Sequence, residues 1–244
     1  MTLLTEATDV FASTADGRCA TVFLARDQFP GGLGDGGRCA ASIVRALDAL
    51  AERGWLLSPR AMIEQKPDAS PVAFASGFAH DVDVVGVFEA PSLSEAFDGI
   101  TQLERAGWSR RFATQWLIGP REFAAVRGAP VERDREWGFL ALWEWNDAWA
   151  AASAAARRDY DAECDIAFAA DLRSGVDMTG RHRLDWASSW HHLGFWEAPS
   201  PATVDTAIRE HERVADFKFT TSRHYIGRRT PLASFLAELS EQRP

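Results

Sequence analysis

The chain has 244 residues, of which 46% are apolar, enough for one large packed core or two smaller ones. Lys and Arg number 26 against 35 Asp and Glu, and the resulting formal charge of −9 repels a polyanion, which argues against nucleic acid as a partner. Residues 1–22 carry no basic start followed by an apolar run, and no stretch reaches the roughly 18 uncharged apolar residues that cross a bilayer. A cytoplasmic protein with no membrane partner is expected. Cys19, Cys39 and Cys164 are widely spaced and form no CxxC pair, so neither a disulfide framework nor a thiolate metal site is expected.

In chain order, residues 21–25 read as a strand, and Pro30 to Gly37 as a glycine-rich loop. That loop contains Gly32-x-Gly34-x-x-Gly37, formally a dinucleotide fingerprint. Residues 26–30 separate it from its strand, however, so an entrance loop fits better than a phosphate cradle. A helix follows over residues 39–53 and stops at Gly54, the usual left-handed terminator. Residues 62–65 and 82–88 are expected strands, the second ended by Pro91. Ser92 with Glu95 has capping-box spacing and opens a helix to about Trp108, and a strand follows over 113–118. A linker spans 127–135. Beyond it come a strand at 138–142, a helix over about 147–173 ending at Gly175, and strands at 182–186 and 193–196. The last helix is opened by Ser200-Pro201 and runs to about Asp216, and the last strand covers 221–226.

Residues 83–121 overlay 191–229 without a gap at an offset of 108, with 11 of 39 positions identical. Gly86 to Ser92 matches Gly194 to Ser200 most closely, and Ile100, Glu104, Arg105, Ile118, Gly119 and Arg121 recur as Ile208, Glu212, Arg213, Ile226, Gly227 and Arg229. Upstream, Phe23-Leu24-Ala25 is similar to Phe139-Leu140-Ala141, each before an Ala-rich helix. The order is therefore βαββαβ, twice.

Two such units in tandem resemble the ferredoxin-like, dimeric α/β barrel superfamily, over roughly residues 18 to 230. The resemblance implies an α+β fold with domains at 18–127 and 134–232 whose sheets form one barrel within the chain. Members include cofactor-free monooxygenases, muconolactone-type isomerases, small cyclases, chlorite-dismutase-like haem proteins and aldoxime dehydratases. Fold alone does not choose among them.

Seven of the ten Trp fall between Trp137 and Trp196. Trp143 and Trp145 share one strand face and Glu144 points the other way, so the tryptophans either pack a core or wall a pocket for an aromatic ligand. Trp116 and Trp196 are further wall candidates. His191 and His192 leave opposite strand faces and cannot readily share a metal. His192 replaces Val84 and His224 replaces Trp116 in the repeat, so one half has gained titratable groups. Each is either a satisfied histidine or a general base near neutral pH. Arg183, Arg223, Tyr225 and Glu144 are lesser candidates for orienting a substrate. Glu89 and Glu197 occur in both copies before Pro and read as structural carboxylates. Val204, Ile208, His211 and Ala215 form an apolar helical stripe, which turns His211 inward. Haem-binding members of the superfamily take an axial imidazole from a helix in this region, and that likeness makes His211 the candidate ligand.

These observations lead to a small-molecule enzyme acting on an aromatic or polycyclic metabolite by acid-base chemistry, as a monooxygenase or an isomerase or cyclase, without a cofactor. It would be a monomer or homodimer. The alternatives are a haem-dependent dehydratase or oxidase, and a non-catalytic carrier of hydrophobic ligands.

Overall fold

A computed structural model describes residues 14, 16–28, 36–67, 70–77, 79–214 and 216–236. The segment from Pro30 to Asp35, with most of the glycine fingerprint, lies outside the described residues, as does Ala215; Gly36 and Gly37 begin a helix. Among the described residues no helix is long and apolar enough to cross a membrane.

The chain is α+β, with eight antiparallel strands and nine helices among the described residues. It divides into two compact units. The first comprises Gly17–Pro120 with residues from Gly227 onward, and the second is built mainly of Arg121–Ile226. These bounds differ from the sequence-based 18–127 and 134–232, because two long strands change unit part-way along.

In the first unit β1 (Cys19–Asp27) lies between β3 (Val84–Ala90) and β4 (Phe112–Phe123). β2 (Val72–Ala75) pairs on one side with β3 and on the other with the end of β8 (Thr220–Pro231), from Arg228 onward. Helices α1 (Gly36–Glu52) and α3 (Leu93–Ala106) cover the sheet. Ser92 caps α3 by accepting from the Glu95 amide at 3.2 Å, as the sequence signal foretells, and Gly107 ends it at φ 108°, one residue short of the expected Trp108. The strand expected at 62–65 is instead the helix α2 (Pro59–Glu64). Ser58 accepts from the Ala61 amide at 3.0 Å and Pro59 occupies the first helical turn, a start signal that outweighs the short apolar run.

In the second unit β7 (His192–Ala198) lies between β5 (Trp137–Trp145) and β6 (Asp177–Arg183). β6 pairs with the end of β4, and β8 follows β5 in the sheet. The helix expected at 147–173 is two. α5 (Asp147–Ala151) is capped by Asn146 and α6 (Ala154–Arg173) by Ser153, whose hydroxyl accepts from the Ala156 amide at 3.1 Å. α7 (Pro201–Arg213) and the short α8 (Asp216–Phe219) precede β8. α4 (Trp108–Arg111) and α9 (Leu232–Leu236) complete the set. The expected linker is well anchored: the Gly128 amide donates to Asp177 at 2.7 Å and the Ala129 amide to the Leu172 carbonyl, also at 2.7 Å.

The two units differ in register from the sequence likeness. Phe23 lies opposite Gly86, whereas Ala141, not Phe139, lies opposite Gly194. The Phe-Leu-Ala triplets are thus one pleat out of step.

Candidate active site

Between the sheet and helices of the second unit is a cavity of about 350 Å³. Its sheet side presents Phe139, Ala141, Trp143 and Trp145 from β5, alternate residues that share a face. Gly194 and Trp196 of β7 and Ser222 and His224 of β8 continue it. The helical side presents Tyr160, Asp161, Cys164, Asp165 and Phe168 from α6 and Ile208 and His211 from α7. These follow the spacing by which a helix turns one face to a neighbour.

His211 is buried, as its helical stripe predicts, with 2% of its surface exposed. Both ring nitrogens are engaged. Nε2 is 2.9 Å from Asp171 Oδ2, and Nδ1 is 3.1 Å from Asp216 Oδ2. Burial alone would lower its pKa, but the two carboxylates outweigh it and raise the value to about 9, so the ring is an imidazolium near neutral pH. Asp216 also accepts from the Tyr160 hydroxyl, linking α6, α7 and α8. Burial and the negative Asp216 push the Tyr160 phenol well above its ordinary range, and burial raises the Cys164 thiol to about 12. Both remain protonated.

His224 is the other imidazole in the lining. Its ring lies 5.0 Å from that of Phe139 and 5.9 Å from that of Phe217, and it makes no hydrogen bond among the described residues. Burial lowers its pKa, so it is a neutral ring with an available nitrogen.

Asp161 and Asp165 sit four residues apart on α6 and accept no hydrogen bond among the described residues. Burial raises both pKa values, and the charge of Asp161 adds to the rise at Asp165. Arg181, at the end of β6, opposes these shifts and is itself 2.9 Å from Glu122 Oε2.

The remaining expected site residues fall elsewhere. His192 stacks on Trp143, with ring centroids 5.4 Å apart, but is not in the lining. Burial, Arg181 and His191 lower its pKa to about 3, so it holds no proton at neutral pH and is too weak a base for the role expected of it. Arg183 turns outward to Asp185 at 3.0 Å. Glu144 has the opposite strand parity to Trp143 and Trp145 and is absent from the lining. Arg223 and Tyr225 likewise alternate away from His224 and form a cation–π contact at 5.4 Å. Trp116 belongs to the first unit, where its Nε1 donates to Glu104 at 2.7 Å and its ring packs on Phe23 and Trp108. Trp143, Trp145, Trp196, His211 and His224 are the expected site residues that the cavity brings together.

Sequence reading missed Asp171, Asp216, Tyr160, Cys164 and Arg181. One signal was available: Asp216 stands where the repeat has Trp108, the same loss of symmetry that singles out His224. Asp171, Tyr160 and Cys164 lie upstream of the repeat, with no partner position to betray them.

No protein-family model and no curated protein sequence matches the chain. Solved structures do. An arginine-to-glutamate variant of chlorite dismutase from Candidatus Nitrospira defluvii superposes with TM-score 0.68 at 14% identity, covering 91% of this chain and 95% of that one. The same enzyme in complex with imidazole gives 0.67 at 14% identity, with the same coverage. A tryptophan-to-phenylalanine variant in complex with cyanide gives 0.67 at 13%, covering 97% and 98%. The chain therefore has the dimeric α/β barrel fold of chlorite dismutases. This overturns the expectation of a chain without a cofactor, because the chlorite dismutases it superposes on are themselves haem proteins.

Proposed function

We propose that the chain is a haem-dependent enzyme, an oxidase or dehydratase, whose haem lies in the cavity of the second unit. The observation that carries this reading is the cavity itself, aromatic in its walls and with imidazoles in its lining.

Haem is a flat apolar macrocycle with two carboxylate arms, so it needs flat walls, an axial ligand and a cation near its edge. Trp143, Trp196 and Phe168 offer the walls, and Arg181 is a cation of the lining. Gly194 keeps the sheet side open: a Cβ there would meet nothing nearer than the Trp143 ring at 3.6 Å. The likeness of fold points the same way, since imidazole and cyanide, present in two of the similar structures, are both strong ligands of haem iron. When bound, haem supplies the iron centre on which oxidase and dehydratase chemistry depends. The chain's own residues bind it, exclude water with their rings, and hold a proton at His211 between Asp171 and Asp216. Tyr160 fixes the second of those carboxylates.

The test is hemin titration of the purified chain, followed by its absorbance. An equimolar complex with a Soret band is expected. A chain that takes up no hemin, or takes it up without saturation, would refute the reading.

A further inference from the structure

We infer that the axial ligand to the haem iron is His224 on β8, and that His211 on α7, held at both ring nitrogens by Asp171 and Asp216, is part of the cavity wall and not a ligand. This rests on the reading that the cavity holds haem.

An axial imidazole must present a nitrogen lone pair to the cavity. The chain has six histidines, all among the described residues, and His211 and His224 are the two that line the cavity. His211 has no nitrogen to offer. To coordinate iron through Nε2 it would have to leave Asp171, a carboxylate that is 2% exposed and would then be buried beside no counter-charge. Breaking such a pair costs a factor of more than a hundred in equilibrium, at about 3–5 kcal/mol. The pair also ties α6 to α7, so moving the ring would undo the contact that shapes the wall.

His224 carries none of these costs. It makes no hydrogen bond among the described residues, and the Phe139 and Phe217 rings pack beside it. Of the other donors of the lining, Tyr160 spends its hydroxyl on Asp216, and Cys164 is buried one helical turn along α6 from it. The ligand would therefore come from the sheet side of the cavity, leaving the α6 side, with Asp161, Asp165 and Cys164, to face the reactants.

The experiment is hemin binding to the full chain, wild type, His224→Gly and His211→Gln, with far-ultraviolet circular dichroism as a check on folding. Readouts are the Soret position and the iron–histidine stretching band of the ferrous protein in resonance Raman. The wild type should show that band. His224→Gly should lose it, bind hemin about 10–100-fold more weakly, and regain a nitrogen-ligated spectrum when imidazole is added. His211→Gln should keep the band. Wild-type haem binding with a band that survives in folded His224→Gly overturns this inference and leaves the haem reading standing. A wild type that binds no hemin overturns both. Should His211→Gln fail to fold, the His224→Gly result and its rescue by imidazole decide the matter.

Discussion

Opposite Gly86 the first unit sets Phe23, whereas opposite Gly194 the second sets Ala141. The same exchange recurs around the space between sheet and helices. Leu103, Trp108 and Trp116 of the first unit stand where the second has His211, Asp216 and His224. Phe23 packs so tightly on Gly86 that a Cβ there would lie 2.1 Å from its ring. Phe23, Trp108 and Trp116 form one aromatic cluster, with centroids 5.2 to 5.8 Å apart. The space between sheet and helices is thus a filled core in the first unit and an aromatic-walled cavity in the second, according to which side chains project into it. The lesson concerns cost as well as shape: Phe23, Leu103 and Trp108 are fully buried in the first unit, whereas Ala141, Asp216 and His224 of the second keep part of their surface open.

The comparison can be broken at its strongest point. Trp108→Ala removes a fully buried ring from the filled unit and should cost about 3–5 kcal/mol, read as a lower midpoint in denaturant unfolding. Trp143 is half-buried at the cavity, so Trp143→Ala should cost much less stability but weaken hemin binding in titration. Equal stability losses would remove the distinction between the two interiors.

Next in size is the pH response of the second unit. His211 is raised from 6.5 to about 9 in the fold, so the stabilisation it brings is fully present below about pH 6.5 and is lost as pH rises through about 9. The loss should be on the order of 3 kcal/mol and should vanish in His211→Gln, as measured by unfolding midpoints across that range. A wild-type curve flat between pH 6.5 and 9.5 would contradict the clamp.

A change in the opposite sense sharpens the contrast. Ala141→Phe restores the side chain that Phe23 supplies in the first unit, and is expected to abolish the Soret band of a hemin titration while leaving a folded protein by circular dichroism. The smallest effect belongs to Asp161→Asn. It relieves a like-charge pair at helical spacing and should stabilise by about 0.2–0.5 kcal/mol, provided hemin is absent from the unfolding experiment.

Much of this plan is legible in the residues. The caps Ser92 and Ser200 and the alternation of β5 announce their elements because each signal is local. The offset of 108 exposes His224 because its partner is apolar. Two readings fail for physical reasons. Ser58-Pro59 starts a helix where a short apolar run suggests a strand, and the likeness of Phe23 to Phe139 conceals a shift of one pleat that cross-strand pairing alone decides. The role of His211 was hidden more deeply. Its inward direction follows from helical period, but Asp171 lies 40 residues away on another helix, and only the packing of α6 on α7 shows that the ring is already spoken for.

The first unit keeps its edge in trust with a distant part of the chain. Residues 228–231 pair with β2, the Leu232 amide donates to the Pro71 carbonyl at 2.9 Å, and Leu232 and Leu236 are buried in the first unit's core. On the ribosome that unit is the earlier to emerge and yet the later to close, since its final strand is translated only after the whole of Arg121–Ile226. A nascent chain halted before β8 would expose β2 as an unpaired edge, the kind of surface that chaperones shield and aggregates recruit.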